Sequence, residues 1–432
     1  MNILIITPFY KQNEFIGSLR WTNLSQRLAR NHKIIVVAQP FNDMDETVSK
    51  QIEDGLLIAR LNQKTLYERI AINVFHSKTD QDIRIQKRIE SSDTANLIEK
   101  ESFLRKVKNH FLYSTMKHKA KQYADDIVKK VIPKEMKIDV VISSACPFIE
   151  MLFGYELKKR LNCKWISDFR DLPFQTDNCD STHIEKEIMK KTLKEADSIT
   201  VVASCMKDDL IEWFGYESNK VSVITNGFSL KEKRKAKPNN DKYLHLVHTG
   251  SLYGGKRKAD LLFAAINKIA EEGYKDIMFE VAGGNNTYLL ESARKYNCED
   301  VVRDYGFISR EDALDLQLKA DCLVALVEPF SLPAKMFEYI LNQRPIICIV
   351  MGQQYDESQA KPFIETLNVG TVYEEKNWEY DVNRLSEYLK SQIQRKQNGD
   401  ELVYHPNMTE VNKYDHDNIT KQIEKIMQQL TA

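Results

Sequence analysis

The sequence carries no surplus of charge: Lys+Arg and Asp+Glu each total 62 over 432 residues. Without a net field there is no electrostatic footprint for nucleic acid, so no nucleic-acid partner is expected. Glycine is sparse, at 15 residues, and no G-x-G-x-x-G follows the first strand, which argues against a dinucleotide dehydrogenase. G-x-x-x-x-G-K-[ST] is also missing, which removes a P-loop NTPase. The nine histidines form no H-x-x-x-H pair, so neither a catalytic zinc nor another metal site is expected. Asp43 with Asp45, and Asp415 with Asp417, sit among polar residues that suit solvated turns better than metal ligation. The seven cysteines lack paired spacing, which fits a reducing compartment rather than a disulfide framework. No window approaches eighteen consecutive apolar residues, and the run in "MNILIITPFY" is too short for a secretory leader. These absences predict a cytoplasmic protein.

What the sequence does contain is a repeated pattern. Short β-branched runs alternate with helical stretches: "NILIIT", "KIIVVA", "GLLIARL", "DVVISS", "KWISDF", "SITVVA" and "KVSVIT", then "LHLVHTG", "MFEVAGG", "VVRDYGF", "CLVALVE", "PIICIVMG" and "GTVYEE". Apolar runs without polar alternation mark strands covered on both faces, hence mainly parallel sheets. A lysine-rich stretch at 226–243 separates the two series and reads as a linker. The expected fold is α/β, with two doubly wound, Rossmann-like parallel-sheet domains facing across a cleft. Residues 1–230 form the N-terminal domain, with a charged helical insertion at about 63–138. Residues 231–410 form the second domain, and 411–432 a terminal helix packing back toward the first.

Between Lys100 and Lys137 there are eleven Lys/Arg against four Asp/Glu, and Leu104, Val107, Phe111 and Leu112 share one helical face. A surface helix lying on its own domain explains this pattern best. The alternative is a basic amphipathic helix, spanning about 100–125, resting on an anionic membrane.

The candidate chemistry lies at strand-to-helix turns. Gly17 and Ser18 precede an amphipathic helix, and "HTGSLYGGKRKADLL" places Gly250, Lys256 and Arg257 after a buried strand. Glycines admit an anion to backbone N–H groups, and Lys and Arg add charge-assisted hydrogen bonds to phosphate. In "SLPAKMFEYILNQRPIICI", Pro333 suits the first turn of a helix, with Ser331 or Leu332 near its N-cap. Met336, Phe337, Ile340 and Leu341 share the sheet-facing arc, and Lys335, Glu338, Tyr339 and Asn342 the opposite one. A solvated Lys335–Glu338 pair is one reading. The favoured one puts Glu338 at the cleft, holding ribose or sugar hydroxyls. Asp168, Arg170 and Asp171, at the end of "KWISDF", are candidates for the acceptor side, with a structural Arg–Asp pair as the alternative.

S-x-P-x-K-x-F-E-Y with Pro345 behind it resembles the donor-site helix of retaining family 4 glycosyltransferases of the GT-B fold. "IGSLR", "ISDFRD", "ADSITVVA", "KVSVITNGF", "HTGSLYGGKR", "VAGG" and "YGFISRED" follow in that family's order. The resemblance implies sugar transfer from a UDP- or GDP-linked donor to a glycan or lipid-linked glycan, with retention and without metal or other cofactor. It implies a role in surface polysaccharide synthesis, with cytoplasmic or inner-face peripheral placement. It assigns the diphosphate to Gly17, Ser18, Gly250, Lys256, Arg257, Ser331 and Leu332. Ribose and sugar fall to Glu338, Lys335 and Glu328, and the base to Ile308 and Gly283. No side chain is implied as nucleophile. Two positions depart from the family pattern: Phe330 stands where the first motif glutamate belongs, with Glu328 two residues earlier, and Ser251 replaces an arginine. An epimerase or phosphorylase of the same fold, or a silent nucleotide-sugar-binding subunit, remain as alternatives.

Overall fold

The computed structural model describes residues 1–11, 16–40, 48–61, 103–145, 149–172, 183–237, 239–284, 286–355, 357–400 and 403–432, with 16, 103–112 and 183–185 by backbone alone. The first sheet contains β1 (Asn2–Ile6), β2 (Lys33–Ala38), β3 (Val48–Glu53), β4 (Leu56–Leu61), β5 (Val140–Ala145), β6 (Lys164–Phe169), β7 (Ser198–Val201) and β8 (Val221–Val223). Their order is β3-β4-β2-β1-β5-β6-β7-β8. The second sheet contains β9 (Leu244–Thr249), β10 (Ile277–Ala282), β11 (Val302–Asp304), β12 (Cys322–Val327), β13 (Ile346–Val350) and β14 (Gly370–Glu374), in the order β11-β10-β9-β12-β13-β14. Every pairing but one is parallel. The exception is β3 against β4, joined by a turn in which Asp54 and Gly55 both have positive φ. This is the GT-B arrangement of two Rossmann-like sheets.

The strand order reverses between β1 and β5 in the first sheet and between β9 and β12 in the second. At such a switch the loops leaving adjacent strands diverge and open a crevice beyond their carboxyl ends. Loops 250–257 and 328–333 flank that crevice in the second domain.

The stretch read as a linker is not a free tether. Phe228 bridges to Asp415, and the His416 amide donates to the Phe228 carbonyl at 2.8 Å. Leu230–Glu232 forms a 3-10 turn, and the amides of Arg234 and Lys237 donate to the carbonyls of Leu341 and Leu318. The crossover therefore belongs to the second domain from about Phe228 onward. The terminal helix, His416–Thr431, returns to the first domain, where Ile419, Ile423 and Met427 join its core. Arg27 fixes that return by donating to Asp417 at 2.8 Å.

Of the helical insertion, residues 62–102 lie outside the described residues, as do the side chains of Leu104, Val107, Phe111 and Leu112. The described part is a helix, Phe103–Asp126, continuing into a π-turn at Ile127–Val131. Its later turns bury Ala120, Tyr123 and Ala124, with the Tyr123 ring 4.2 Å from that of Phe153. Those turns pack on their own domain. Among the described residues no helix is long and apolar enough to cross a membrane, and all five described cysteines are unpaired.

Candidate active site

The second-domain crevice is built on a buried strand with an unusual sequence. "LHLVHT" is wholly buried, yet it carries two histidines and a threonine whose polar atoms must find partners inside the protein. His248 Nδ1 lies 2.9 Å from the Val324 carbonyl, which can only accept, so the ring proton sits on Nδ1 and Nε2 is left as an acceptor. Burial and the neighbouring Lys335 and Arg257 charges hold His248 well below the usual histidine range, so it is neutral. Thr249 is bound on all sides: its amide donates to Tyr339 Oη at 3.0 Å, and Gln317 Nε2 donates to its Oγ1 at 2.8 Å. Asn342 in turn donates to Gln317 Oε1 at 2.5 Å.

This network excludes the alternative of a solvated Lys335–Glu338 pair on the helix Ala334–Leu341. Its second arc does not face solvent, because Lys335, Tyr339 and Asn342 are buried against the end of β9. The apolar arc is anchored independently, with the Phe337 ring 5.0 Å from Phe363 and 5.7 Å from Tyr414. The helix begins one residue later than its sequence suggests. Pro333 is the N-cap, in extended geometry and without a capping side chain, so Ser331 and Leu332 precede the helix. The Ser331 amide is spent on the Glu328 carbonyl at 3.1 Å. The Met336 amide donates to the Pro333 carbonyl at 3.0 Å, which leaves the amides of Ala334 and Lys335 as the first-turn donors whose dipole favours an anion.

Lys335 and Glu338 do not pair with each other. Lys335 Nζ donates to His248 Nε2 at 3.3 Å and to the Thr249 carbonyl at 3.4 Å. Glu338 has Arg310 as its ion partner, at 3.6 Å, with its side chain only 12% exposed. Burial raises its carboxyl above the ordinary range, partly offset by Arg310 and Arg234.

Arg257 forms a two-pronged pair with Glu328, at 3.1 Å on each prong, and lies 4.7 Å from the centre of the Tyr253 ring. The guanidinium is largely covered, while Glu328 is 43% exposed. Lys256, beside it, is exposed. Glu328 thus neutralises Arg257 and is not a free substitute for the glutamate absent at Phe330. Phe330 itself is 62% exposed, and its carbonyl accepts from Cys205 Sγ of the first domain at 3.4 Å. Ser204 Oγ and Gln359 Oε1, 2.8 Å apart, make a second contact across the cleft.

Two glycines shape the crevice. Gly250 has φ +121°, and a Cβ there would sit 3.2 Å from Lys335 Nζ. At Gly283 a Cβ would fall 2.2 Å from the Gly250 carbonyl oxygen, so its absence lets the two strand-end turns stack. Gly283→Ala is therefore expected to displace the 250–257 turn and destabilise the fold by about 1–3 kcal/mol, the usual range for overpacking. Chemical denaturation checks this, and an unchanged midpoint would show that the turn has room to move. Ile308 is partly buried behind Gly306, with Phe307 85% exposed beside it.

On the first domain the picture differs. Asp168, expected on the acceptor side, is 1% exposed and fully engaged. It accepts from Arg20 Nε at 3.1 Å, Arg20 Nη2 at 2.9 Å, Trp21 Nε1 at 3.0 Å and Thr200 Oγ1 at 2.7 Å. Arg20 also donates to the Ile224 and Thr225 carbonyls, so the pair ties β6 and β7 to the chain leaving the domain. Sequence reasoning missed Arg20 because it lies on an otherwise amphipathic helix, and a buried arginine gives no periodic signal. Arg170 donates to the Gly17 carbonyl and so positions the 16–18 turn. Ser18 is buried at the start of Leu19–Leu28, and Asp171 is exposed. A separate cavity of about 110 Å³, lined by Tyr113, Lys117, Tyr155 and Glu156, lies between helices of this domain rather than at the strand ends.

Residues 230–401 match the family model of Glycosyl transferases group 1. The second domain is a glycosyltransferase group 1 domain. The whole chain also superposes on solved structures, and these likenesses, at low identity, speak for the fold. Sucrose-phosphate synthase from Thermosynechococcus elongatus is 14% identical at TM-score 0.62, covering 99% of this chain and 98% of that one. The structure of trehalose-6-phosphate from E. coli bound with UDP-2-fluoro glucose is 9% identical at TM-score 0.62, covering 99% of each. The lipopolysaccharide outer core galactosyltransferase WaaB, in its apo form, is 14% identical at TM-score 0.56, covering 99% of each. None of the curated proteins compared matches the sequence. The glycosyltransferase domain contains the β9/β12 switch, Arg257, Lys335 and Glu338. Glu328 and the loop that contacts the first domain fall within it as well.

Proposed function

We propose that the protein is a retaining glycosyltransferase that moves a sugar from a UDP- or GDP-linked donor to a glycan or lipid-linked glycan. The observation that carries this reading is the meeting at one switch point of Gly250, Arg257 and the uncapped first turn of Ala334–Leu341, with the largely buried Glu338 carboxylate one turn further along that helix. The first three suit a diphosphate and the last suits a pair of vicinal hydroxyls. The fold relative solved with UDP-2-fluoro glucose supports a nucleotide-sugar donor. The lipopolysaccharide galactosyltransferase supports an acceptor destined for the cell surface.

The chemistry follows from where charge develops. As the bond from the anomeric carbon to phosphate oxygen breaks, the nucleoside diphosphate gains negative charge. Arg257, Lys256 and the first-turn amides of Ala334–Leu341 stabilise it in a dry site, with the amides of the Gly17–Ser18 turn across the cleft. These fixed charges take the role a divalent ion would otherwise play. The acceptor hydroxyl approaches on the face the phosphate leaves, its oxygen bonds to the anomeric carbon, and its proton passes to the departing phosphate oxygen. Retention results without a protein nucleophile.

A turnover assay with UDP- and GDP-sugars tests this. Nucleoside diphosphate is expected to appear at an appreciable rate only when a glycan or lipid-linked acceptor is added. Sugar interconversion without acceptor would indicate an epimerase, and donor binding without turnover a silent subunit, for which exposed Phe330 in place of a glutamate is the motive.

A further inference from the structure

We propose that Lys335 is a buried phosphate-binding residue whose counter-ion is the incoming diphosphate, so that donor binding is coupled to uptake of a proton by this lysine. The inference rests on the nucleotide-sugar reading of the site and adds to it how the site is charged and emptied.

The geometry is specific. Lys335 Nζ reaches from the first turn of Ala334–Leu341 to the gap between the ends of β9 and β12. There it lies under Gly250, where only a missing side chain leaves it room. Its partners are neutral acceptors, His248 Nε2 and the Thr249 carbonyl. No carboxylate among the described residues comes within ion-pair distance of it. A buried ammonium without a counter-ion is costly, and such a group either loses its proton or waits for an anion.

The groups facing it are accounted for from each neighbouring element. His248 on β9 is neutral, since its Nδ1 proton is given to the Val324 carbonyl. Arg257 on the following turn is matched by Glu328 after β12. Cys348 on β13 and Tyr339 on the same helix are both pushed up to about 12, so neither supplies a negative charge near neutral pH. Burial, and then the Arg257 charge, bring Lys335 down to about 7 from 10.5. The lysine is therefore poised to take a proton when an anion arrives above it. A diphosphate at the mouth of the crevice places oxygens where the ammonium can donate past Gly250, and it restores the charged form. On release of product the proton leaves with the diphosphate.

Calorimetric titration of the whole protein with UDP and GDP, in three buffers of different ionisation enthalpy, reads the coupling. At pH 8 the free nucleotides are fully ionised, so uptake by the protein is not masked by theirs. The expected result for wild type is uptake of about one proton per bound nucleotide at pH 8, falling toward zero by pH 6, where the lysine is already charged. Lys335→Met is expected to bind at least tenfold more weakly and to take up none. Without nucleotide, that variant is expected to melt above wild type at pH 6 to 7. The gap should close as pH rises through the window from about 7 to 10.5, in which the folded lysine has shed a proton that the unfolded one keeps. Nucleotide binding with no proton uptake in wild type, or undiminished uptake in Lys335→Met, overturns this proposal alone. Failure of both nucleotides to bind overturns the nucleotide-sugar reading and this proposal with it.

Discussion

Asp168→Ala is expected to destabilise the protein by about 3–5 kcal/mol, the cost of leaving one member of a buried ion pair without the other. Asp168 takes four hydrogen bonds from Arg20, Trp21 and Thr200 and is 1% exposed, while Arg20 is 6% exposed. Removing the carboxylate strands the guanidinium between two carbonyls and frees the Trp21 indole. Urea unfolding followed by tryptophan fluorescence measures the loss. The double change Arg20→Met with Asp168→Leu should recover part of it, since a buried pair replaced by apolar groups of similar size is far less harmful than a broken one. A loss below about 1 kcal/mol would return Asp168 to the acceptor side, with the pair as decoration.

The second large effect is on the donor. Glu338→Gln is expected to weaken nucleotide-sugar binding by about 10- to 150-fold, the equivalent of the roughly 1.5–3 kcal/mol carried by hydrogen bonds to a charged group. The fold should remain intact, because among the described residues the ion-pair contact Glu338 has to lose is the 3.6 Å one with Arg310. Burial raises this carboxyl, and hydroxyls that need the anion will be lost as pH falls through that raised value. Below about pH 6, where Lys335 is already charged and no longer takes up a proton on binding, donor affinity in wild type should therefore weaken on further acidification, and Glu338→Gln should flatten that limb. Unchanged affinity in the variant would reduce Glu338 to a partner for Arg310.

Much of the architecture could be read from residue order because parallel strands buried on both faces advertise themselves. "NILII", "KIIVVA" and "CLVALV" leave little choice of structure or surroundings. β3 was not legible: "VSKQIE" is polar and mostly exposed, with Ile52 82% exposed. Its place at the sheet edge depends on pairing with β4 rather than on its own burial. The site was legible in its charges and glycines but not in its wiring. Arg257, Glu328, Lys335 and Glu338 could be named from the chain, yet nothing in their spacing says that Arg257 takes Glu328 or that Lys335 takes His248. Those pairings join residues 71 and 87 positions apart. The polar positions of "LHLVHT" were the available clue, since a strand that buries His248 and Thr249 must bring partners to them, here Tyr339, Gln317 and Lys335. The linker misled for a related reason. Its lysines look solvated, while Phe228 and the backbone of 230–237 do the docking.

The central claim is that fixed protein charges at the β9/β12 switch hold a nucleoside diphosphate. Equilibrium binding of UDP and GDP in the presence of EDTA, for wild type and Arg257→Met, tests it most directly. Wild type should bind one of the two with full affinity under chelation, and Arg257→Met, which leaves Glu328 to repel the phosphates, should bind it at least tenfold more weakly. Binding that appears only when a divalent ion is restored, or that ignores the loss of Arg257, would contradict the account.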